Sequence, residues 1–431
     1  MKQLATGLIV TVLVWACGAS QASLVRGSTS ACNLSLIKAS PAADSLLPIG
    51  LIPRSAGQAD TLDATVYLVG DAGYPVEAEG SVLARVESQI TALAKRTAPI
   101  PGHSQQSVIY LGDNAYPAGV PPSTAVPQPE REHALCVLEQ QVEAVPAPAQ
   151  AIFIPGNHDW RPKGCVKEIN AQIISCLRSL QSKDPVGIER EANLLDGVAD
   201  GRVSFRPPDG CPGPSEIRIG SRLVLLAFDS EWMLRHVDGL TDVRCHELTF
   251  SGVIDSLSAH VRGAPASDFV MLAAHHPLQS GGEHGNACGG PGGLAGVAVT
   301  DIRRAAEIGQ DFSGDGYSLL RRRLIYRLNT AGRSIAYASG HDHTLQVFAG
   351  GPRGRTVHYL VSGAGSVGTH ESSCVRWRPG MVYPFSAEDY ARETPNGFMR
   401  VDVYRPAGVR VTVFTIGGTG ILTRSASLVL E

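Results

Sequence analysis

The stretch SVIYLGDNAY at residues 107–116 sets the architecture of the chain, because an apolar run ends there at a glycine followed by an aspartate. Its β-branched and aromatic residues predict a buried strand, and the glycine marks the strand's C-terminal end. The stretches TVYLVGDAG at residues 65–73 and AIFIPGNHD at residues 151–159 repeat this pattern. Three predicted strands therefore deliver polar side chains from their C-terminal ends, where α/β proteins build their sites.

The rest of the chain continues the pattern. Further strands are predicted at residues 222–228, 268–274, 334–338, 356–361, 398–404 and 409–416, and helices at residues 80–95, 130–145, 165–181, 247–261 and 317–329. The early alternation of strands and helices predicts parallel strands with crossover helices, and the closely spaced last pair of strands predicts an antiparallel hairpin. We therefore expect an α/β protein with mixed sheets, with loops in the glycine- and proline-rich residues 207–214 and 281–296.

Composition excludes some classes of protein. The 431 residues are 43% hydrophobic and 18% charged, so the chain can bury a large core, and one α/β domain of about 300 residues or more is feasible. The net charge of -3 says little about partners. Since no basic stripe interleaved with aromatic residues is present, binding to nucleic acid through charge is not expected.

Residues 1–22 have the features of a signal peptide. Lys2 gives a basic start, residues 8–15 are almost entirely apolar, and residues 20–22 form a small-residue cleavage pattern. The apolar run is shorter than the roughly 20 residues that a transmembrane helix needs. We therefore expect an exported protein, periplasmic or secreted, that is cleaved before Ser23; a lipid anchor at Cys17 is the alternative. Residues 23–60 are expected to precede the main domain at residues 61–431.

Cysteine usage agrees with export. The chain has nine cysteines, and eight remain if Cys17 is removed or lipidated, which allows up to four disulfides in an oxidising compartment. No Cys-x-x-Cys pair is present, so disulfides across long loops are expected rather than a zinc–thiolate cluster. The eight are Cys32, Cys136, Cys165, Cys176, Cys211, Cys245, Cys288 and Cys374.

Two histidine-rich fragments also follow predicted strands. His275-His276-Pro277 comes after the strand at residues 268–274, and Gly340-His341-Asp342-His343 comes after the strand at residues 334–338. Carboxylates, an amide oxygen and imidazoles gathered at one rim would be poorly paired with one another, whereas bound cations would satisfy all of them. The combination of ligand types predicts a metal site.

These fragments resemble the calcineurin-like metallophosphoesterase superfamily, and Tyr116 makes the chain similar to the purple acid phosphatases. The stretch HHPLQSGGEHG at residues 275–285 resembles the His-x-Pro-x-x-Ser-x-x-Glu-His-Gly stretch of the small, tartrate-resistant type, as do residues 340–346 and 362–365. The resemblance implies a four-layer αββα sandwich with two mixed β-sheets. It also implies a dimetal site at the C-terminal ends of the strands, within a catalytic domain at residues 61–431.

The resemblance further implies a division of roles among the site residues. One metal ion would be held by Asp71, Asp113, Tyr116 and His343, and the other by Asp113 as a bridge, Asn157, His275 and His341. His158 resembles the histidine that contacts phosphate, and His284 resembles its partner on the substrate side. Asn157, His158 and His284 are then the substrate-binding residues, and His276 would lie behind the ligands or at the surface.

Charge arithmetic favours one trivalent ion. Two aspartates, a tyrosinate and a bridging hydroxide carry four negative charges, so Fe(III) with a divalent partner leaves one positive charge for a phosphate dianion. The family resemblance implies the same, with Fe(II), Zn(II) or Mn(II) as the partner and a tyrosinate-to-iron colour.

The expected activity is hydrolysis of small phosphomonoesters by an exported acid phosphatase. A metal-bound hydroxide would attack, and His158 and His284 are the candidates for protonating the leaving group, since imidazoles titrate in the suitable range. Asp159 is expected to orient His158.

One departure from the resemblance leaves alternatives open. Trp160 replaces a histidine of the tartrate-resistant type and is followed by Arg161 and Lys163. Trp160 would then form an apolar or stacking wall and Arg161 or Lys163 would pair with an anionic substrate; an ordinary exposed loop is the alternative. A stacking Trp160 would suit a phosphodiesterase or nucleotidase of the same superfamily. A non-catalytic, metal-containing binding protein is a third possibility, but it predicts a missing ligand, and none is missing. Residues 184–214 are not placed by the resemblance.

Overall fold

The computed structural model describes residues 61–74, 81–97, 105–121, 128–162, 183–184, 186–197, 201–237, 239, 242–282, 284–285, 310–352, 355–366, 375–384, 395–417 and 422–430. The signal segment at residues 1–22, the segment at residues 23–60 and the helix predicted at residues 165–181 lie outside the described residues.

The described chain contains sixteen strands and six α-helices, in addition to a 3-10 turn at Val243–Cys245. The strands are β1 (Thr61–Val69), β2 (Gln105–Tyr110), β3 (Gln150–Phe153), β4 (Arg161–Pro162), β5 (Lys183–Asp184), β6 (Val203–Phe205), β7 (Ser215–Ile219), β8 (Leu223–Ala227), β9 (Phe269–Ala273), β10 (Ile335–Ser339), β11 (Leu345–Gly350), β12 (Val357–Ser362), β13 (Met381–Tyr383), β14 (Asn396–Arg405), β15 (Val409–Ile416) and β16 (Leu422–Val429). The helices are α1 (Val82–Thr97), α2 (Gln128–Glu143), α3 (Val186–Asp196), α4 (Ser230–Arg235), α5 (Phe250–Gly263) and α6 (Asp315–Asn329).

Two mixed sheets of seven strands each form the body of the fold. The first has the order β16-β15-β14-β1-β2-β3-β6, in which β1, β2, β3 and β6 are parallel and the other three are antiparallel. The second has the order β13-β11-β12-β10-β9-β8-β7, in which β12, β10, β9 and β8 are parallel. The predicted α/β class and mixed sheets are confirmed, and the arrangement is consistent with a sandwich.

The central strands are buried because both of their faces are covered. All five residues of β8, β9 and β10 are buried, as are eight of the nine residues of β1. Continuous apolar runs of this kind are typical of parallel strands with packing on both faces. A single hydrophobic cluster contains residues of both sheets, including Val66 of β1 and Leu272 of β9. The two sheets therefore share one core.

Helix α5 shows how local sequence sets an element. Thr249 caps its start, since the threonine hydroxyl accepts a hydrogen bond from the backbone N–H of Gly252 at 3.1 Å. Its buried residues include Phe250, Val253 and Leu257, a helical spacing that places them on one face. The helix therefore packs this face on the core.

The element predictions succeed where apolar runs are long. Every predicted strand has a counterpart, the hairpin is β14–β15, and four predicted helices appear as α1, α2, α5 and α6 with ends shifted by a few residues. Missing from the prediction are β7, β11, β13 and β16, which lie at or near sheet edges, the two-residue strands β4 and β5, and the short helix α4. The unplaced residues 184–214 contain α3 and β6, and β6 extends the first sheet.

One of the expected disulfides is present. Cys211 and Cys245 are bonded and join the proline-rich loop after β6 to the 3-10 turn. Cys136 is buried in α2, and the other expected cysteines lie outside the described residues, so their pairing stays a prediction. Among the described residues, no helix combines the length and apolar character needed to cross a membrane.

We predict that Leu272→Ala lowers the free energy of unfolding by about 2–5 kcal/mol, because it removes a large side chain from the shared core. Leu272 lies in the middle of β9 and is fully buried. Urea denaturation followed by circular dichroism measures the change. The control is Tyr326→Ala on α6, where the tyrosine is 65% exposed and a change within about 0.5 kcal/mol is expected. Equal effects of the two substitutions would contradict this assignment of the core.

Candidate metal centre

The predicted site residues follow parallel strands of both sheets and meet at one edge. Asp71, Asp113 and Asn157 come after β1, β2 and β3, while His275 and His341 come after β9 and β10. Backbone hydrogen bonds tie these strand ends together within and between the sheets: Asp71 N–H to the Gly112 oxygen (3.0 Å), Gly340 N–H to the His275 oxygen (3.0 Å) and Gly70 N–H to the Ser362 oxygen (2.7 Å). The strand ends of both sheets therefore form one rim.

The first group of side chains surrounds the hydroxyl of Tyr116. This oxygen lies 3.1 Å from Asp71 Oδ1, 3.0 Å from Asp113 Oδ2 and 3.2 Å from His343 Nε2. A neutral phenol has one proton and cannot donate to all three neighbours. Burial, followed by the charges of Asp113 and Asp71, raises the pKa of Tyr116 well above its usual value. The neighbouring carboxylates disfavour the ionised form of Tyr116. A cation among these atoms would favour the phenolate instead.

The second group consists of two imidazoles and an amide. His275 Nδ1 lies 2.9 Å from the Leu111 carbonyl oxygen, and His341 Nε2 lies 2.8 Å from the Gln310 carbonyl oxygen. A carbonyl oxygen only accepts hydrogen bonds, so these two nitrogens carry protons, and in the neutral form of each ring the opposite nitrogen points inward with a lone pair. His275 Nε2 and His341 Nδ1 are 3.2 Å apart, and they lie 2.8 Å and 3.1 Å from Asn157 Oδ1. Three converging acceptors suit a metal ion.

Asp113 lies between the two groups. Its Oδ2 contacts the Tyr116 hydroxyl at 3.0 Å, and its Oδ1 lies 3.4 Å from His275 Nε2. Ligand atoms of Asp71, Asp113 and His275 all fall within 4.8 Å of one another, and all three residues are buried. This buried group could hold a metal ion.

The electrostatics of the group favour positive charge. Burial alone would raise the pKa of Asp113, but the imidazoles of His275 and His158, together with hydrogen bonds from the His158 N–H and the Tyr116 hydroxyl, lower it to about 2. Burial lowers the pKa of His275, whereas the charges of Asp113 and Asp71 raise it, and the net shift is upward. His341 differs, because burial and the neighbouring His284 and His276 lower its pKa well below the usual value. The carboxylate side of the rim therefore attracts cations, and His341 stays neutral.

Three site residues adopt a left-handed backbone conformation. The φ angles are 58° at Asp71, 56° at Asp113 and 69° at His341, a conformation that costs a non-glycine residue about 1–3 kcal/mol. Hydrogen bonds hold the backbone at two of them: the His341 N–H donates to Asp71 Oδ2 at 2.8 Å, and the Asp113 N–H donates to Asp159 Oδ2 at 2.9 Å. The tight turns let the side chains point back across the strand ends.

Asp159 ties the loops after β2 and β3 together. Its carboxylate accepts hydrogen bonds from the backbone N–H groups of Asp113 (2.9 Å), Asn114 (2.9 Å) and Gly156 (2.7 Å). A Cβ on Gly156 would lie 2.2 Å from the Asp113 nitrogen, so only glycine allows this approach. The expectation that Asp159 orients His158 is not matched by a hydrogen bond among those described for its carboxylate. Asp159 instead positions the loop that carries Asp113.

The two histidines expected near the substrate lie on opposite sides of the centre. His158 Nδ1 lies 2.7 Å from the Pro117 oxygen, and its Nε2 lies 4.0 Å from Asp113 Oδ2, with 42% of the side chain exposed. His284 Nδ1 lies 2.6 Å from Asp311 Oδ1, and the ring centroid of His284 is 4.0 Å from that of His341. Both histidines are therefore partly exposed next to the buried group.

His276 turns away from its neighbour His275. Its Nδ1 lies 2.8 Å from the Ser230 hydroxyl, and its Nε2 lies 2.7 Å from Gln310 Oε1. Burial, followed by His275, lowers the pKa of His276 to about 3. The surface position offered as an alternative for His276 is wrong, because the residue is fully buried.

Trp160 is not a pocket wall. The residue is 2% exposed, and its indole N–H donates to Asp229 Oδ2 at 2.8 Å. The Arg235 guanidinium lies 5.3 Å from its ring centroid. The side chain therefore packs between the loop after β3 and the start of α4, and the idea that it stacks on a substrate base is wrong. Lys163 lies outside the described residues, and nothing of the Arg161 side chain is described.

Sequence reasoning missed two groups that the fold adds to the site. Gln310 and Asp311 contact His341, His276 and His284, although no motif or apolar pattern distinguishes them in the sequence. Tyr74 stacks on Tyr116 with ring centroids 4.5 Å apart. Its position just after the first Gly-Asp fragment is the only signal that could have pointed to it.

Comparisons with known proteins add little to this geometry. No protein-family model and no curated protein matches the chain. Among solved structures, the phosphopantetheinyl hydrolase of Mycobacterium tuberculosis has 10% sequence identity and a TM-score of 0.27, and the match covers 70% of this chain and 90% of that chain. A match this weak carries no argument, so the conclusions below depend on the residues themselves.

A buried carboxyl group lies beneath the centre. Glu191 of α3 is fully buried next to the side chains of Asn114 and Asp159. Burial, followed by the charge of Asp159, raises the pKa of Glu191 well above its usual value of 4.5. The folded protein therefore binds this proton at pH values where the unfolded chain has lost it.

We predict that Glu191 makes a contribution to the stability of the wild-type protein that falls as pH rises above about 4.5, toward the higher folded-state pKa of Glu191. The folded state binds more protons than the unfolded state in this window, so the slope for one proton is negative and at most about 1.4 kcal/mol per pH unit. Glu191→Gln should flatten the slope and raise stability at about pH 8. Urea denaturation between about pH 5 and pH 8 measures both effects.

The control is Glu189→Gln on the same helix, where the glutamate side chain is 42% exposed. This substitution should leave the slope unchanged. The same slope in wild type and Glu191→Gln would contradict the buried, protonated state of Glu191.

Proposed function

We propose that the protein is an exported, dimetal acid phosphatase that hydrolyses small phosphomonoesters. The observation that carries the proposal is the pairing of two buried groups through Asp113. One group contains Asp71, Tyr116 and His343, and the other contains Asn157, His275 and His341. Oxygen ligands dominate the first group and nitrogen ligands the second, with one carboxylate between them. This donor set suits two metal ions with a shared ligand.

The chain's residues fit such ions well. Among the described residues, the inward nitrogens of His275 and His341 and the Tyr116 hydroxyl have more acceptors around them than protons to share. Two metal ions bound there would polarise a phosphoryl group and supply a water of lowered pKa as the nucleophile. The ligand assignment follows the two groups, with Asp113 as the bridge.

The remaining polar residues would handle the substrate. His158 Nδ1 is committed to the Pro117 oxygen at 2.7 Å, which orients Nε2 toward Asp113 and the centre. We assign His158, with Asn157, to contact with the phosphate. His284, on the opposite side, would protonate the leaving group, because imidazole titrates in the range that general acid catalysis requires.

Tyr116 favours iron as one of the metals. Its pKa is raised by burial and by two neighbouring carboxylates, so only a strongly charged ion would keep it ionised. A phenolate is a hard ligand that suits Fe(III), and Fe(II), Zn(II) or Mn(II) would be the partner. The expectation of a four-layer αββα arrangement with this site at the strand ends belongs to the same proposal.

Export is supported by the first 22 residues and by the disulfide between Cys211 and Cys245. Disulfides form and persist mainly in oxidising compartments. The lipid anchor at Cys17 remains the alternative mode of export. The burial of Trp160 removes the feature that favoured a nucleotidase or phosphodiesterase.

We predict that the purified protein hydrolyses p-nitrophenyl phosphate with a kcat/KM at least about 100-fold higher than that for bis(p-nitrophenyl) phosphate. The charge left on a centre with Fe(III) favours a phosphate dianion over a diester monoanion. Release of p-nitrophenol at several pH values measures both activities. Dominant diester cleavage would contradict the proposal, and a chelator-treated sample serves as the control.

We predict that Tyr116→Phe removes a visible absorption band of the metal-loaded protein. The band would arise from charge transfer between the phenolate and Fe(III), so it depends on the ligand oxygen. The matched control is Tyr74→Phe, because Tyr74 stacks on the Tyr116 ring at 4.5 Å and is not assigned as a ligand. This control should retain the band. Elemental analysis accompanies each spectrum, and a wild-type protein without iron would contradict the metal assignment.

A further inference from the structure

Residues 310–312 hold the His284 side of the centre through three contacts. The Gln310 carbonyl oxygen lies 2.8 Å from His341 Nε2, and Asp311 Oδ1 lies 2.6 Å from His284 Nδ1. The Phe312 N–H donates to the His284 carbonyl oxygen at 2.9 Å. One short segment therefore fixes a metal-site imidazole, the ring of His284 and the main chain that carries it.

Asp311 is well placed to control the orientation of His284. Asp311 is 2% exposed, whereas the His284 side chain is 28% exposed. A hydrogen bond between a buried carboxylate and an imidazole is short and strong because one or both partners are charged. The His284 ring also packs on His341, at 4.0 Å between ring centroids and a 31° tilt. These contacts leave the imidazole little rotational freedom.

We infer that Asp311 is a positioning residue that holds His284 for proton transfer to the leaving group. The inference rests on the proposed phosphatase function and adds a residue that the sequence did not suggest. Asp311 keeps the proton on His284 Nδ1, so that Nε2 is the nitrogen that serves the substrate. A carboxylate in this position also stabilises the imidazolium before transfer, as in other Asp–His pairs of hydrolases.

The proton transfer accompanies cleavage of the phosphate ester. Water forms a new P–O bond, and the P–O bond to the leaving alcohol breaks with its electron pair on the alcohol oxygen. That oxygen takes the proton from Nε2 of the His284 imidazolium, which becomes a neutral imidazole whose Nδ1–H still donates a hydrogen bond to Asp311. The proton released by the attacking water returns through solvent to His284.

A purely structural role for Asp311 predicts a different result. If the carboxylate only anchors residues 310–312, its loss disturbs the centre and slows all substrates alike. If the carboxylate acts through His284, its removal lowers kcat mainly for substrates whose leaving group needs a proton. p-Nitrophenolate is a weak base and leaves without one, whereas the alkoxide of a glycerol phosphate needs protonation. The comparison of these two substrates separates the two roles.

The experiment compares kcat for p-nitrophenyl phosphate and glycerol 2-phosphate in the metal-loaded, full-length exported protein. The variants are Asp311→Asn, Asp311→Glu and His284→Ala, with the double variant Asp311→Asn/His284→Ala. The control is Asp315→Asn, an exposed residue of the first turn of α6. Metal content and the thermal midpoint of each variant show whether the centre and the fold are retained.

We expect Asp311→Asn to lower kcat about 100-fold for glycerol 2-phosphate, which is within the range of general acid catalysis. The loss for p-nitrophenyl phosphate should be less than about 10-fold. Asp311→Glu should restore part of the loss, and the double variant should be no slower than His284→Ala alone. Asp315→Asn should match wild type.

Equal losses with the two substrates, or no loss with either, would overturn the role of Asp311. An additive loss in the double variant would also overturn it, and this test holds even if Asp311→Asn lowers stability. Wild-type protein that hydrolyses neither monoester would overturn the phosphatase proposal itself, and the role of Asp311 with it.

Discussion

The left-handed backbone at Asp71, Asp113 and His341 is the constraint on which the centre depends. Each of these residues follows a parallel strand, and a normal extended exit would carry its side chain away from the rim. The positive φ angle reverses the chain within one residue, so that the side chain points across the strand ends. The cost of about 1–3 kcal/mol for each residue is offset by the hydrogen bonds that the turns form with one another. The His341 N–H to Asp71 Oδ2 bond is one of them, and it joins the two sheets.

The same constraint explains why buried carboxyl groups lie next to the centre. Asp159 must be buried to bind the backbone N–H groups of the Asp113 loop, and Glu191 fills the space below it. Burial, and then Asp113, raise the pKa of Asp159 to about 7, and the pKa of Glu191 is raised more strongly. Carboxyl groups gathered in low dielectric oppose ionisation of their neighbours, and a cation above them relieves that repulsion. The carboxyl groups that support the loops would therefore favour a cation bound by Asp71, Asp113 and His275.

The sequence predicted the elements that carry the centre because long apolar runs and their terminal glycines are local signals. Residues 65–73, 107–116 and 151–159 each became a parallel strand and a loop with a polar residue in the site. Two edge strands were missed: β13 has only three residues, and β16 has one buried residue among eight. The pairing of both is decided by distant parts of the chain. Trp160 was misjudged because its burial depends on Asp229, which lies on another loop. Gln310 and Asp311 could not be found, since only the fold brings them to the histidines.

Adjacent polar residues in these loops point in different directions and therefore make different contacts. His275 faces the centre and His276 faces Ser230 and Gln310. Between His341 and His343, Asp342 turns toward the loop at residues 280–284, where it accepts hydrogen bonds from the Ser280 hydroxyl and from the His284 N–H, the latter at 2.9 Å. The strand end that presents two imidazoles to the centre therefore also holds the backbone of His284. Asp342 holds the main chain of His284 and Asp311 contacts its ring, so His284 is tied to the loop after β10 that carries His341 and His343. The loop after β10 therefore supports both groups of side chains of the candidate centre.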